Sequence, residues 1–516
     1  MNTWSILVVL CLALCLLACK TDAEIKSTPT EHKSFTSTDS KKASPKETTR
    51  AVYPSEAAVE EALSKIPLRG SAADISIKVN GATSGRADLI GIYGTENFLA
   101  DTTLRSAEGV MHFQKAEGYP QGLYFVKFAD QRYLQIIHGE DQQFALETDV
   151  ADPDGAMEVT GSDENAAFFE NLASERIGNQ SLQAINANIT AAQEGSEAYK
   201  TAKAEQTALL DQRDADLEKL YKKYPNTLFE KFKRAGANPR VREDVPRDKI
   251  AYHYCQEFWN GVDFGDRRLI RTPVIKNKFN RFFDELTPPN QDSIIANAHL
   301  LMDRVLLHPE YYQFFAISIV NKYDPTESTL MDPEKVHVKM MQNYFTHERA
   351  FWLDSLTVFS YQQRPLEMEN SLIWEPAPDV ISKDLSGKTH RLFDYEEDYI
   401  IVYLFTPSCE HCLEETPKLV KWYNEQKEKG KSRAVYAIAL ESNVDDPNEL
   451  ANYIEKNKIP FPVIHDPTSR SIYKTYYVNV TPEIYVLNPE RIIVGKNLKT
   501  FQIDTMIDRD IEKRKG

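Results

Sequence analysis

Seven consecutive residues, Tyr399 to Phe405, are aliphatic or aromatic, and the run ends directly on Thr406-Pro407-Ser408-Cys409-Glu410-His411-Cys412. A short apolar run without alternation is what a central strand buried on both faces requires. The following residues, Leu413 to about Lys429, place Leu419, Val420 and Tyr423 at helical spacing. Two thiols therefore sit between the end of a buried strand and the start of a helix. Downstream, Ala434 to Leu440 reads as a second strand and Pro447 to Asn457 as a second helix. Ile484 to Leu487 and Ile492 to Val494 form strands turned by Asn488-Pro489-Glu490, and Asp504 to Lys513 is a closing helix. That order predicts an α/β layout with a mixed sheet.

Cysteine usage narrows the chemistry. Of six cysteines, Cys11 and Cys15 lie in an apolar N-terminal run and Cys19 just after it, leaving Cys255, Cys409 and Cys412. An exported chain stapled by disulfides shows several pairs. A lone Cys-x-x-Cys reads instead as redox or metal chemistry. Zinc requires four ligands, and only His411 and His465 stand as further candidates. At a helix start, unpaired N–H groups and the helix dipole stabilise negative charge and lower a thiol pKa. Cys409 is thus the expected nucleophile, and Cys412, one turn away, the thiol that resolves a mixed disulfide. Cys255 falls in an aromatic stretch and reads as a buried thiol.

The remainder predicts a multi-domain α+β chain. A formal charge of -16 without a basic patch argues against nucleic acid as a partner. Ile6 to Ala18 is too short to span a bilayer comfortably but suits a signal-peptide core. Residues 20 to about 60 are too polar to bury a core and read as a flexible tether. Ile75, Ile77 and Val79 begin a series of short alternating runs to about residue 160, expected as an antiparallel β-sandwich-like domain. From Asp163 to about Leu366 the helical period dominates, interrupted at Thr272-Pro273 and Thr287-Pro288-Pro289. The expected divisions are a signal peptide at 1–18, a tether at 19–68, a sandwich-like domain at 69–161, an all-α domain at 162–366 and an α/β domain at 367–516.

Two resemblances add to this reading. Leu16-Leu17-Ala18-Cys19 resembles the bacterial lipoprotein cleavage box. It implies lipidation of Cys19, removal of residues 1–18 and a cell-envelope location, anchored to a membrane and facing the periplasm or in the outer membrane. A plain signal peptide or an uncleaved anchor is the alternative. The region from about residue 370 resembles thioredoxin-like thiol–disulfide oxidoreductases of the TlpA/ResA type. The matching features are the Cys409/Cys412 pair after the strand, Glu415 and Pro417 behind it, Thr481-Pro482 ahead of a strand, and the closing hairpin and helix. The resemblance implies a C-terminal thioredoxin-like fold with Pro482 in cis facing the cysteines and Thr481 pairing its backbone with substrate. It also implies Glu415 as a proton acceptor or donor for the resolving thiol, and His411 beside the substrate as a stabiliser of the thiolate. Where most relatives carry Trp before the first cysteine, this chain has Ser408.

No metal is expected, and no cofactor beyond a redox-active Cys409–Cys412 disulfide. The expected partners are proteins with disulfides or thiols and an electron-donor protein, with reduction of exported proteins as the activity. Two rivals stand beside it. Thr406-Pro407-Ser408-Cys409 resembles the active-site phrase of peroxiredoxin-like peroxidases, although Val402 occupies a position where those carry Pro. Residues 70–366 would alternatively make the chain a ligand- or protein-binding lipoprotein.

Overall fold

The computed structural model describes residues 68–515 apart from 82–84, 107–108, 243, 441–447, 467–470 and 479. The expected signal peptide and Cys19, and the tether up to residue 67, lie outside the described residues. No described helix is long and apolar enough to cross a membrane.

The chain forms two compact units, one ending at Leu286 and also taking His308–Tyr311, the other holding Thr287–Leu307 and the chain from Tyr312. This division falls inside the segment expected to be one helical domain.

In the first unit, alternation of apolar and polar residues builds two four-stranded sheets. One has the order β4(Val110–Lys115)-β1(Ala73–Asn80)-β7(Gln143–Asp149)-β8(Glu158–Thr160). The other has β3(Glu96–Leu104)-β2(Arg86–Tyr93)-β5(Gly122–Lys127)-β6(Tyr133–His138). Ile75, Ile77 and Val79 of β1 are buried while the residues between them are partly exposed, as a strand with one core face demands. Pairing is antiparallel except between β1 and β7, which run parallel. The antiparallel expectation fails there because β4 has already taken one edge of β1, and the chain crosses β5 and β6 of the second sheet before β7 reaches the other edge running in the direction of β1. β3 departs from the alternating pattern, its residues being exposed or half-buried throughout with no core-facing alternation.

The sheets are followed by the helices α1(Asp163–Ala191), α2(Glu197–Lys223), α3(Leu228–Gly236), α4(Arg247–Glu257) and α5(Pro273–Arg281). Ser162, Ser196 and Thr227 cap the first three by accepting from backbone N–H groups. Glu164 accepts from the N–H groups of Leu228 and Phe229, tying the start of α3 to α1.

The second unit contains α6(Gln291–Val305), most of α7(Pro309–Lys322), α8(Pro333–Tyr344) and α9(Ser355–Met368), then the C-terminal α/β region. That region opens with the hairpin β9(Ile381–Lys383)/β10(Thr389–Arg391), followed by β11(Tyr399–Phe405), α10(Glu410–Glu428), β12(Arg433–Leu440) and α11(Glu449–Asn457). It closes with β13(Val463–Asp466), α12(Ser471–Tyr476), β14(Glu483–Leu487), β15(Ile493–Gly495) and α13(Ile503–Lys515). The five-stranded sheet has the order β13-β12-β11-β14-β15, with β11 at the centre. β11 pairs parallel with β12 and antiparallel with β14, the thioredoxin-like mixed sheet. All seven residues of β11 are buried. Tyr399, Ile401, Tyr403 and Phe405 face the layer containing Leu419, Val420 and Cys412 of α10. Ile400, Val402 and Leu404 face the layer with Ile472 and Tyr476. At about 1.5–3 kcal/mol per buried large apolar side chain, this strand dominates the core. β13 was not anticipated, since four residues between Pro462 and the following polar stretch are too few to show a period.

Candidate active site

The end of β11 delivers Thr406–Ser408 to the start of α10, and Cys409 occupies the cap of that helix with φ -75° and ψ 124°. Its sulfur takes the role a Ser or Asp oxygen plays at other helix starts, accepting from the Cys412 N–H at 3.3 Å. On its other side the Cys409 thiol donates to the Thr481 carbonyl at 3.2 Å. The Thr481–Pro482 bond is cis and precedes β14. The structure therefore brings Cys409, Cys412, Thr481 and Pro482 together, in the dithiol state.

The two thiols differ sharply. Cys409 is half-buried, whereas Cys412 is fully buried. Burial pushes the Cys409 pKa up, but hydrogen bonds from Cys412, the Thr481 side chain and the His411 backbone outweigh it and leave the pKa lowered. Cys412 is pushed up to about 12, first by burial and then by its bond with Cys409. One sulfur is thus the easier to ionise, while its neighbour is held as a thiol.

Side chains not anticipated from sequence sit beneath Cys412. The Tyr453 hydroxyl donates to the Cys412 carbonyl at 3.0 Å. Thr416 Oγ1 lies 2.6 Å from the Tyr453 hydroxyl and 2.6 Å from that of Tyr403. Thr416 is four residues after Cys412 and so shares its helix face. Its meaning depends on Tyr403 and Tyr453 arriving from two other elements.

Glu415 is buried, and both of its oxygens are engaged. Oε1 accepts from the Thr500 N–H at 2.7 Å and Oε2 from Lys418 Nζ at 3.1 Å. Burial raises its pKa, but Thr500 and Lys418 outweigh that, leaving it below the usual carboxylate range. The structure places Glu415 as the anchor of the turn Thr500–Gln502, on which Phe501 is 81% exposed. His411 is exposed, and its reach to the Cys409 sulfur is through its backbone N–H. Ser408 is exposed and Pro407 buried. Among the described residues, no group of three or more His, Cys, Asp or Glu is arranged to hold a metal ion.

Residues 373–496 match the AhpC/TSA family. The C-terminal domain is a thioredoxin-like thiol–disulfide oxidoreductase domain. It is similar to the thiol-disulfide oxidoreductase ResA of Geobacillus kaustophilus, at 28% identity over 140 residues, covering 27% of this chain and 72% of that protein. The thioredoxin-like protein YneN of Bacillus subtilis is 24% identical over 140 residues, covering 27% of this chain and 76% of that protein. Among solved structures, a thioredoxin-like protein from Bacteroides caccae aligns over 53% of this chain and 98% of its own, with a TM-score of 0.42 and 17% identity. A domain of a possible thiol-disulfide isomerase from Cytophaga hutchinsonii aligns over 28% of this chain and 96% of its own, with a TM-score of 0.26 and 27% identity.

In the other unit, the Cys255 thiol is buried, donates to the Leu286 carbonyl at 3.7 Å and is pushed up to about 11 by burial. A thiol held protonated in this way is a poor nucleophile.

Proposed function

We propose that this oxidoreductase domain exchanges disulfides with exported proteins through Cys409 and Cys412, acting as a reductant. The carrying observation is the asymmetry of the pair: a half-buried sulfur with lowered pKa on a helix cap, and a buried thiol with raised pKa behind it. The Cys409 thiolate attacks a substrate disulfide, forming a mixed disulfide and releasing one substrate thiolate, which takes up a proton. Cys412 then loses its proton and attacks Cys409, releasing the second substrate thiolate and leaving a Cys409–Cys412 disulfide. Two electrons pass to the substrate, and an electron-donor protein restores the dithiol. Thr481, beside the sulfur, pairs its backbone with the substrate chain. Leu413, Val480 and Phe501 are exposed apolar side chains near the reacting segments and suit a protein rather than a small-molecule substrate.

The lipid-anchor reading at Cys19 and the envelope location belong to the same proposal, resting on the sequence Leu16-Leu17-Ala18-Cys19. Purified protein should reduce insulin disulfides with a dithiol donor, and Cys409→Ser should abolish this. Insulin reduction that does not depend on Cys409 would move the function to residues 70–366, as a ligand- or protein-binding region. Peroxide consumption lost in Cys409→Ser but retained in Cys412→Ser would favour the peroxidase reading instead.

A further inference from the structure

A buried charge cluster lies immediately behind the substrate loop, and it includes residues outside the region that matches the redox family. Lys496, after β15, is 0% exposed. Its ammonium is 3.5 Å from Asp332 Oδ1 and 3.2 Å from Glu334 Oε2. Those carboxylates come from the cap and first turn of α8, Asp332 and Glu334 themselves being buried. A third carboxylate, Glu483, next in the chain to Pro482 and also buried, is linked to Lys496 through Tyr485. Tyr485 donates to Glu483 Oε2 at 2.8 Å, and Lys496 Nζ lies 5.9 Å from the centre of the Tyr485 ring. Burial works to discharge Lys496, but Asp332, Glu334 and Glu483 outweigh it and raise its pKa.

A neighbour of the cluster reaches the apolar layer that holds the two cysteines. Met331, just before Asp332, packs against the same apolar layer as Cys412 and Cys409. Its carbonyl accepts from Asn497 Nδ2 at 3.4 Å. Asp332 Oδ2 also accepts from the Ile373 N–H at 2.7 Å, fixing the entry to the domain. Burying one ammonium among three carboxylates is a costly arrangement to keep for stability alone, since apolar residues of similar volume commonly serve as well. What such a cluster does well is select one geometry.

We infer that Lys496 is a positioning residue for dithiol exchange: it locks Glu483, and through it the Thr481-Pro482 loop, against residues 331–334, so that the substrate strand meets Cys409 in register. This inference rests on the proposed exchange reaction and extends its site to a segment that the family match, 373–496, does not reach.

The test is Lys496→Met in the full chain, with Asp332→Asn as a milder second variant. KM for a protein disulfide should rise about tenfold in Lys496→Met with kcat within about twofold, because the defect lies in binding register rather than in the thiols. Alkylation of Cys409 at neutral pH should slow severalfold, because the Thr481 side-chain hydrogen bond that favours the thiolate loosens. Asp332→Asn should shift both readouts the same way by less, and it carries the test if Lys496→Met does not fold. Unchanged KM and unchanged alkylation in a folded variant would overturn the inference, reducing the cluster to a stabilising role. A wild-type protein inactive toward disulfides would refute the exchange reading instead, and the alkylation readout would still decide on Lys496.

Discussion

At the residue scale the site is a contrast between two sulfurs three positions apart. Cys409 has helix N–H groups and a partly open face, whereas Cys412 is buried above the hydroxyls of Tyr453, Thr416 and Tyr403. With Cys409 lowered and Cys412 raised to about 12, a rising pH ionises Cys409 first, and at a lower pH than an ordinary thiol. Iodoacetamide at pH 7 should therefore alkylate Cys409 and spare Cys412 in the folded protein. Peptide mapping checks this, and equal labelling of both would contradict it. The spacing of these cysteines and the helix that follows them made the pair legible in the sequence. The hydroxyl chain was not legible, because Tyr403 reads simply as one more apolar strand residue, and Thr416 as an ordinary helix position.

At the scale of elements, α10 does more than present thiols. Its first two turns hold the Thr500–Gln502 turn through Glu415, which the resemblance presented as a proton acceptor or donor. With both oxygens engaged and the pKa lowered, the carboxylate is better suited to accepting the Thr500 N–H than to taking a proton from a thiol. Glu415→Gln retains an acceptor for Thr500 and should keep kcat/KM within about threefold, while Glu415→Ala should lose about tenfold or more as the turn carrying Phe501 shifts. Insulin reduction by the two variants measures this, and an equal loss in both would restore the acid–base role. The position of Glu415 three residues after Cys412 flagged it in the sequence, but its partner lies 85 residues away and no local pattern announces it.

At the scale of the whole molecule, the second unit begins at Thr287, far ahead of the α/β region. Val338 of α8 packs with Met368 and Leu372, and Tyr477 lies against them. A fragment of residues 367–516 loses that burial, worth about 1.5–3 kcal/mol for a side chain such as Val338. It should melt about 5–10 °C below a fragment of residues 287–516. Calorimetry decides, and equal melting would mark the helices as dispensable to the domain. The sequence by itself determined the order of sheet, helices and α/β region, the central strand, and the placing of Cys409 and Cys412 at the start of the following helix, because each is written in local period or in spacing of a few residues. Tertiary structure alone decided the parallel pairing of β1 with β7, the pairing of Glu415 with Thr500, and the joining of Asp332 and Glu334 to Lys496. These depend on contacts between residues far apart in the chain, and a pairing energy realised only after collapse leaves no periodic trace in the order of the amino acids.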